Sequence, residues 1–254
     1  MQNNSRDFLV RTELLVGSDA MQRIDATRVI IFGVGGVGSW CAESLVRSGI
    51  RHLTIVDADR IAVSNINRQL MATTDTVGQP KTEALRQRLL SINPQADISA
   101  RQQIYDETTA DSFDIGSYDY VIDAIDSLKD KALLIINACR MEKTTLFSSM
   151  GAALKMDPQR IRTGYFHKVE GDPLARALRK KFKHRQQFPE RKFMCVYSDE
   201  RLDNHDVQQQ EEEGPQLFNK PVVNGTIAHI TAIFGFTLAS MVIRHITVQQ
   251  VEQN

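Results

Sequence analysis

The stretch VIIFGVGGVGSW, residues 29–40, decides the architecture. A run of β-branched and aromatic residues breaks at Gly33, Gly35, Gly36 and Gly38 and resumes as a helix carrying Trp40, Leu45 and Val46. Such a strand–turn–helix permits a tight turn and close approach of backbone to a ligand. It also places the free N–H groups of a helix start against an anion. The pattern is a phosphate cradle for an adenine nucleotide. By itself it does not separate a dinucleotide held for hydride transfer from ATP held for cleavage.

Working outward, residues 27–34 read as a buried strand, 39–50 as a helix and 52–59 as a second strand, the opening of a parallel βαβ unit. Further strands are expected at 96–104, 118–126 and 144–152, with helices at 78–94 and 131–143. The alternation predicts an α/β class, a Rossmann-like, doubly wound and mostly parallel sheet. After residue 152 the texture changes, so the chain divides into a nucleotide-binding domain over 1–164 and a smaller, partly helical portion over 165–254. Within the latter, residues 167–192 carry nine Lys or Arg against three acids, and 199–213 carry seven acids against one Arg. These stretches cancel in a chain of zero formal net charge, which excludes a global polyelectrolyte and leaves only a local patch for nucleic acid. The basic segment reads as a helix with Leu174, Leu178 and Phe182 on one side and Arg176, Arg179, Lys180, Lys181, Lys183 and Arg185 around the rest. A solvated face is the plainer reading of such a run. Residues 225–243 are apolar enough to span a membrane, but His229, Gly235 and Ser240 dilute them. A buried helix is expected ahead of a membrane anchor or a dimer contact. Cys41, Cys139 and Cys195 form no C-x-x-C pair, so neither a zinc site nor a disulfide framework is expected. The N-terminus lacks a signal-peptide pattern, and a cytoplasmic setting is expected.

Asp57 follows Gly38 by 19 residues, at the end of the second strand, where a carboxylate can accept from a ribose hydroxyl. Asp59 could support it or merely cap a loop. Arg68 can grip phosphate oxygens with a fork of donors, Asn65 and Asn67 can donate to them or orient the loop, and Lys81 sits at a helix start, where its charge opposes the dipole and an anion would offset the cost. Asp126 ends a central strand at the edge where open α/β sheets bind ligands, and could hold Mg²⁺ on a triphosphate. Asp123 is as well suited to a buried structural role. A glycine cradle, ribose acid, arginine, lysine and metal acid together equip a site for attack at an α-phosphate with pyrophosphate leaving.

The ordered motifs G-x-G-G-x-G, D-x-D, N-x-N-R-Q, G-Q-P-K and D-x-x-D-S resemble those of the ubiquitin-activating-like family of adenylating enzymes, the ThiF, MoeB and HesA relatives. The resemblance implies carboxylate adenylation with ATP and Mg²⁺. It implies catalytic roles for Arg68, Lys81 and Asp126, nucleotide contacts from Asp57, Asp59, Asn65, Asn67, Asp123 and Ser127, and a homodimer. Members with paired C-x-x-C motifs fit poorly. The stretches GDPLARALRKKFK (171–183), CVYSDE (195–200) and TAIFGFTLASMVI (231–243) resemble the tRNA threonylcarbamoyladenosine dehydratases of the family. That implies a tRNA substrate whose carboxylate is activated and then attacked by its own ureido group. Two other readings stay open: adenylation of a carrier-protein terminus, and a nucleotide-binding scaffold for a sulfur-mobilising partner. For the latter, Cys195 is either a relay thiol or a small hydrophobe.

Overall fold

The computed structural model describes residues 7–205 and 224–248. Two short helices, α1 (Val10–Val16) and α2 (Ser18–Ala26), precede β1 (Arg28–Phe32), α3 (Gly38–Arg47) and β2 (His52–Val56). Next come α4 (Lys81–Ile92), β3 (Asp97–Arg101), β4 (Tyr120–Asp123), α5 (Leu128–Arg140) and β5 (Thr145–Ser149). The chain continues through β6 (Ile161–Tyr165), α6 (Pro173–Arg185), β7 (Met194–Ser198) and α7 (Ala228–Val248). The strands form one sheet in the order β3-β2-β1-β4-β5-β7-β6. All neighbours are parallel except β6 and β7. The order reverses between β1 and β4, which opens a crevice at the carboxyl ends of those strands.

The strands read as continuous apolar runs because both faces of the sheet are covered. Val29, Ile31, Leu53, Ile55 and Ile122 pack with residues of α2, α3, α4 and α7 on one face. Ile30, Phe32, Val121 and Leu146 pack with residues of α5 and α6 on the other. Every strand and helix expected before residue 152 is present, with ends trimmed by a few residues. The expected strand 118–126 stops at Asp123, and α5 begins earlier than its apolar periodicity suggests because Ser127 caps it.

The changed texture beyond 152 continues the same sheet. Strand β6 runs across position 164, and β7 pairs with β5. The apolar segment is α7, long and apolar enough by length and composition to cross a membrane. It lies along α3, with Ile230, Phe234, Leu238 and Val242 buried. Gly235 lets the two helices approach closely: a Cβ there would stand 2.5 Å from the Val37 carbonyl oxygen. Of the acidic stretch 199–213, residues 206–213 lie outside the described residues.

Candidate nucleotide-binding site

Gly33 ends β1 with φ 84°, a conformation that L side chains rarely adopt, and its amide donates to the Val56 carbonyl over 2.8 Å. A Cβ on Gly33 would stand 2.6 Å from the Ala124 carbonyl oxygen, and one on Gly38 would stand 1.9 Å from the Gly33 oxygen. The turn therefore closes only without side chains, and it packs the start of α3 against the segment that follows β4. Gly35 and Gly36 complete it. A Cβ on Gly36 would meet the Arg68 stem at 3.3 Å and Thr231 of α7 at 3.1 Å. Arg68 thus lies over the cradle, its carbonyl accepting from the Trp40 indole over 3.0 Å.

Asp57 follows β2 and is tied into the cradle. Its carboxylate accepts from the Val34 amide at 2.9 Å and from the Asp59 amide at 2.9 Å. Burial pushes its pKa above the usual carboxylate range, against the pull of Lys81. The Lys81 ammonium donates to Asp59 at 2.7 Å and stands 3.9 Å from Asp57. The anion that a lysine at a helix start calls for is thus supplied by the protein itself. Asp59 is 52% exposed at the crevice mouth, so the pair remains open to an incoming charge.

The Asn-Arg segment divides its work. Asn65 is buried and its side-chain oxygen accepts from the Ala62 amide, bracing the loop rather than facing the crevice. Asn67 donates to the Thr226 carbonyl and accepts from the Arg68 guanidinium at 2.9 Å. Arg68 also donates to the Ser64 carbonyl at 3.0 Å.

After β4 the two acids separate. Asp123 is sealed beneath α5, 0% exposed, in a 2.7 Å ion pair with the equally buried Lys131. Ser148 donates to it at 2.6 Å. Burial raises its pKa, with Lys131 opposing. Asp126 stands exposed at the carboxyl edge, one residue before Ser127, which is the α5 cap and donates to Asp130 at 2.7 Å. Lys131 escapes sequence reading because, on an amphipathic helix, a lysine signals solvent.

A cradle that excludes side chains, the partly buried Asp57, the buried Lys81 and the exposed Asp126 stand together at the carboxyl edge of the sheet. The ThiF family model matches residues 9–254. The chain belongs to the ThiF family. It is 38% identical over 190 residues to the tRNA threonylcarbamoyladenosine dehydratase of Bacillus subtilis, covering 75% of this chain and 74% of that one. To the Haemophilus influenzae protein of the same name it is 38% identical over 234 residues, covering 89% and 87%. The crystal structure of the Escherichia coli tRNA N6-threonylcarbamoyladenosine dehydratase in complex with ATP superimposes with a TM-score of 0.84 at 31% identity, covering 98% and 97%.

The likeness of this ThiF-family chain to the E. coli structure covers 98% of the chain and so takes in α6 and α7. On α6, Arg176, Lys180, Lys183 and Arg185 are exposed and Lys181 is half-buried. Arg179 does not join them. It turns inward over the Phe166 ring, 5.6 Å from its centre, and donates to the carbonyls of Phe166 and Val169. Phe182 is core, packed edge-on to Phe166, whereas Phe188 is exposed. All three cysteines are free and buried. Burial pushes the Cys195 thiol up to about 12, so it is a small hydrophobe rather than an open nucleophile.

Proposed function

We propose that this chain is an ATP-dependent, AMP-forming tRNA threonylcarbamoyladenosine dehydratase. The observation that carries the reading is likeness along nearly the whole chain, α6 and α7 included, to an E. coli enzyme of that name whose structures hold ATP and AMP. A substrate carboxylate oxygen attacks the α-phosphorus and pyrophosphate leaves. The ureido group of the same nucleoside then attacks the activated carbonyl carbon, closing a ring as AMP departs. Both bonds form between groups held side by side, and proximity alone can lower such a barrier by several kcal/mol. No protein thiol is required, in keeping with three buried cysteines. If a sulfur-mobilising partner docks, none of these thiols is its acceptor.

In this reading the backbone of Gly33–Gly38 receives the phosphates and Asp57 the ribose. Lys81 exchanges part of its attachment to Asp59 for developing charge on the phosphorus. Arg68, whose stem already lies on Gly36, neutralises the departing oxygens. Asn65, Asn67 and Ser127 hold the loops that present these groups. Asp126 suits Mg²⁺, a hard ion that typically takes one or two carboxylates, phosphate oxygens and several waters. A single edge carboxylate beside the cradle fits that role. Among the described residues no cluster of three or more His, Cys, Asp or Glu forms an all-protein cage. The exposed cations of α6 face tRNA phosphates, and a tRNA substrate sets the enzyme in the cytoplasm. The protein acts as a homodimer through α1, on which Leu14 and Leu15 are 83% and 85% exposed, with Phe8 and Val10 beside them.

The deciding assay is AMP release from ATP with bulk tRNA, with and without prior threonylcarbamoylation, and with no carrier protein present. Release confined to the modified tRNA is the expected result. Release that requires a carrier protein instead would replace this reading with that of a carrier adenylase.

A further inference from the structure

Lys131 has no assigned role, yet its surroundings are unusual. It sits one turn into α5 and its ammonium reaches back toward the helix start, where a cation opposes the dipole. There it is 0% exposed, 2.7 Å from a 0% exposed Asp123. A pair so buried gains little over a well-packed apolar pair, because desolvation consumes most of the attraction. Stability alone therefore gives no reason for its place at the carboxyl edge of the sheet.

The hydrogen bonds supply one. Lys131 donates to the Ile125 carbonyl at 2.9 Å, and Asp123 accepts from the Ile125 amide at 3.1 Å. The two charges thus grip one residue by both its backbone groups. On one side of Ile125 lies Ala124, whose amide donates to the Phe32 carbonyl at 2.9 Å and whose carbonyl oxygen walls the Gly33 turn. On the other side lies Asp126. Ser148 braces the carboxylate from β5.

We infer that Lys131 is a positioning residue: with Asp123 it holds Ile125 by its carbonyl and its amide, and so sets the Asp126 carboxylate against the glycine cradle. The inference rests on the reading of Asp126 as the residue that holds the divalent cation of the nucleotide. Groups that orient metal ligands typically change affinity roughly 10–100-fold when removed.

The test is calorimetric titration of the full chain with ATP, once with Mg²⁺ and once with EDTA, alongside thermal melting. The variants are the apolar pair D123L/K131M, the single K131Q and, as control, D126A. D123L/K131M removes the clamp without stranding a buried charge. It is expected to melt cooperatively, to bind ATP in EDTA as the native chain does, and to lose about tenfold of the affinity gained with Mg²⁺. K131Q keeps a side-chain donor and is expected to lose less; it decides the matter should the apolar pair fail to melt cooperatively. D126A is expected to lose the Mg²⁺ gain altogether. If D126A keeps that gain, the metal reading of Asp126 fails and the inference falls with it. If D126A loses the gain while the Lys131 variants keep it whole, Asp126 stands and the positioning role of Lys131 is overturned.

Discussion

Two Asp–Lys pairs share the carboxyl edge of this sheet at the same 2.7 Å separation, Lys131 with Asp123 and Lys81 with Asp59. The first is dry on both sides. The second has a lysine against the crevice wall and an aspartate half in water. Residue type and distance alike fail to tell them apart; solvent does. In the dry pair neither charge can be released without leaving the other stranded in a low-dielectric interior, so its partners are permanent. In the rim pair only Asp59 meets water; Lys81 is itself buried, so if it leans toward a new anion the carboxylate it leaves is solvated. The first is closed to any ligand, and the second is open to solvent on its carboxylate side.

The contrast is open to experiment, and the largest effect belongs to the dry pair. Lys131→Met alone leaves the Asp123 carboxylate uncompensated and should destabilise the fold by about 3–5 kcal/mol, read as a fall in the urea midpoint. A loss below about one kcal/mol would show that water reaches the pair. Next comes the rim pair. Lys81→Ala should reduce AMP release by about 10²–10³-fold, the scale of removing one charge-stabilising donor, while the melting temperature stays within a few degrees. Near-native turnover would leave Lys81 a merely structural partner of Asp59.

A third pair lies between these extremes. Glu43 on α3 accepts from Arg88 at 2.5 Å and from Arg47 at 2.9 Å. Burial works to raise its pKa, but the two guanidinium groups outweigh burial and hold it below the ordinary value. A carboxylate so lowered adds stability above its unfolded pKa, near about 4.3, that is lost as pH falls through the folded value. Glu43→Gln should therefore cost about 1–3 kcal/mol at about pH 7 and flatten the decline in stability between roughly pH 5 and pH 3. An unchanged acid limb would remove the linkage. The smallest effect per residue belongs to the exposed charges of α6, of which Arg185 also stands 3.9 Å from Glu107. Lys180→Ala, Lys183→Ala and Arg185→Ala together should weaken tRNA binding and lower its salt slope by about one for each phosphate left without its cation. Arg179→Ala, by contrast, should leave the slope alone and lower stability, since its guanidinium braces the 166–169 turn.

The first five strands and the helices between them are legible in the sequence because each carries its own signal within a short span of chain. Strand β7 is not, since MCVYS is a short run that becomes a strand by pairing with β5 on one side and β6 on the other. Helix α1 escapes for a different reason. Leu14 and Leu15 of α1 point outward, so no inward apolar stripe marks that helix. In the site, Gly33, Gly38, Asp57 and Lys81 stand out by spacing, and they converge. The sequence favours Asp126 over Asp123 as the metal acid but leaves Asp123 between a site role and a structural one, and its burial against Lys131 separates the two. Thr231 and Gly235 of α7 reach the cradle from the far end of the chain, a proximity that no local pattern carries.

What the sequence determined by itself is the order of elements and the chemical inventory of the crevice. Strand periodicity, glycine spacing and helix caps act between neighbours in the chain, and neighbours in the chain are what a sequence displays. What the tertiary structure alone decided is which charges meet water. Whether an ion pair is sealed or open depends on the dielectric around it, and that is set by elements packed together in space: here the cover of α5 over Asp123 and its absence over Asp59.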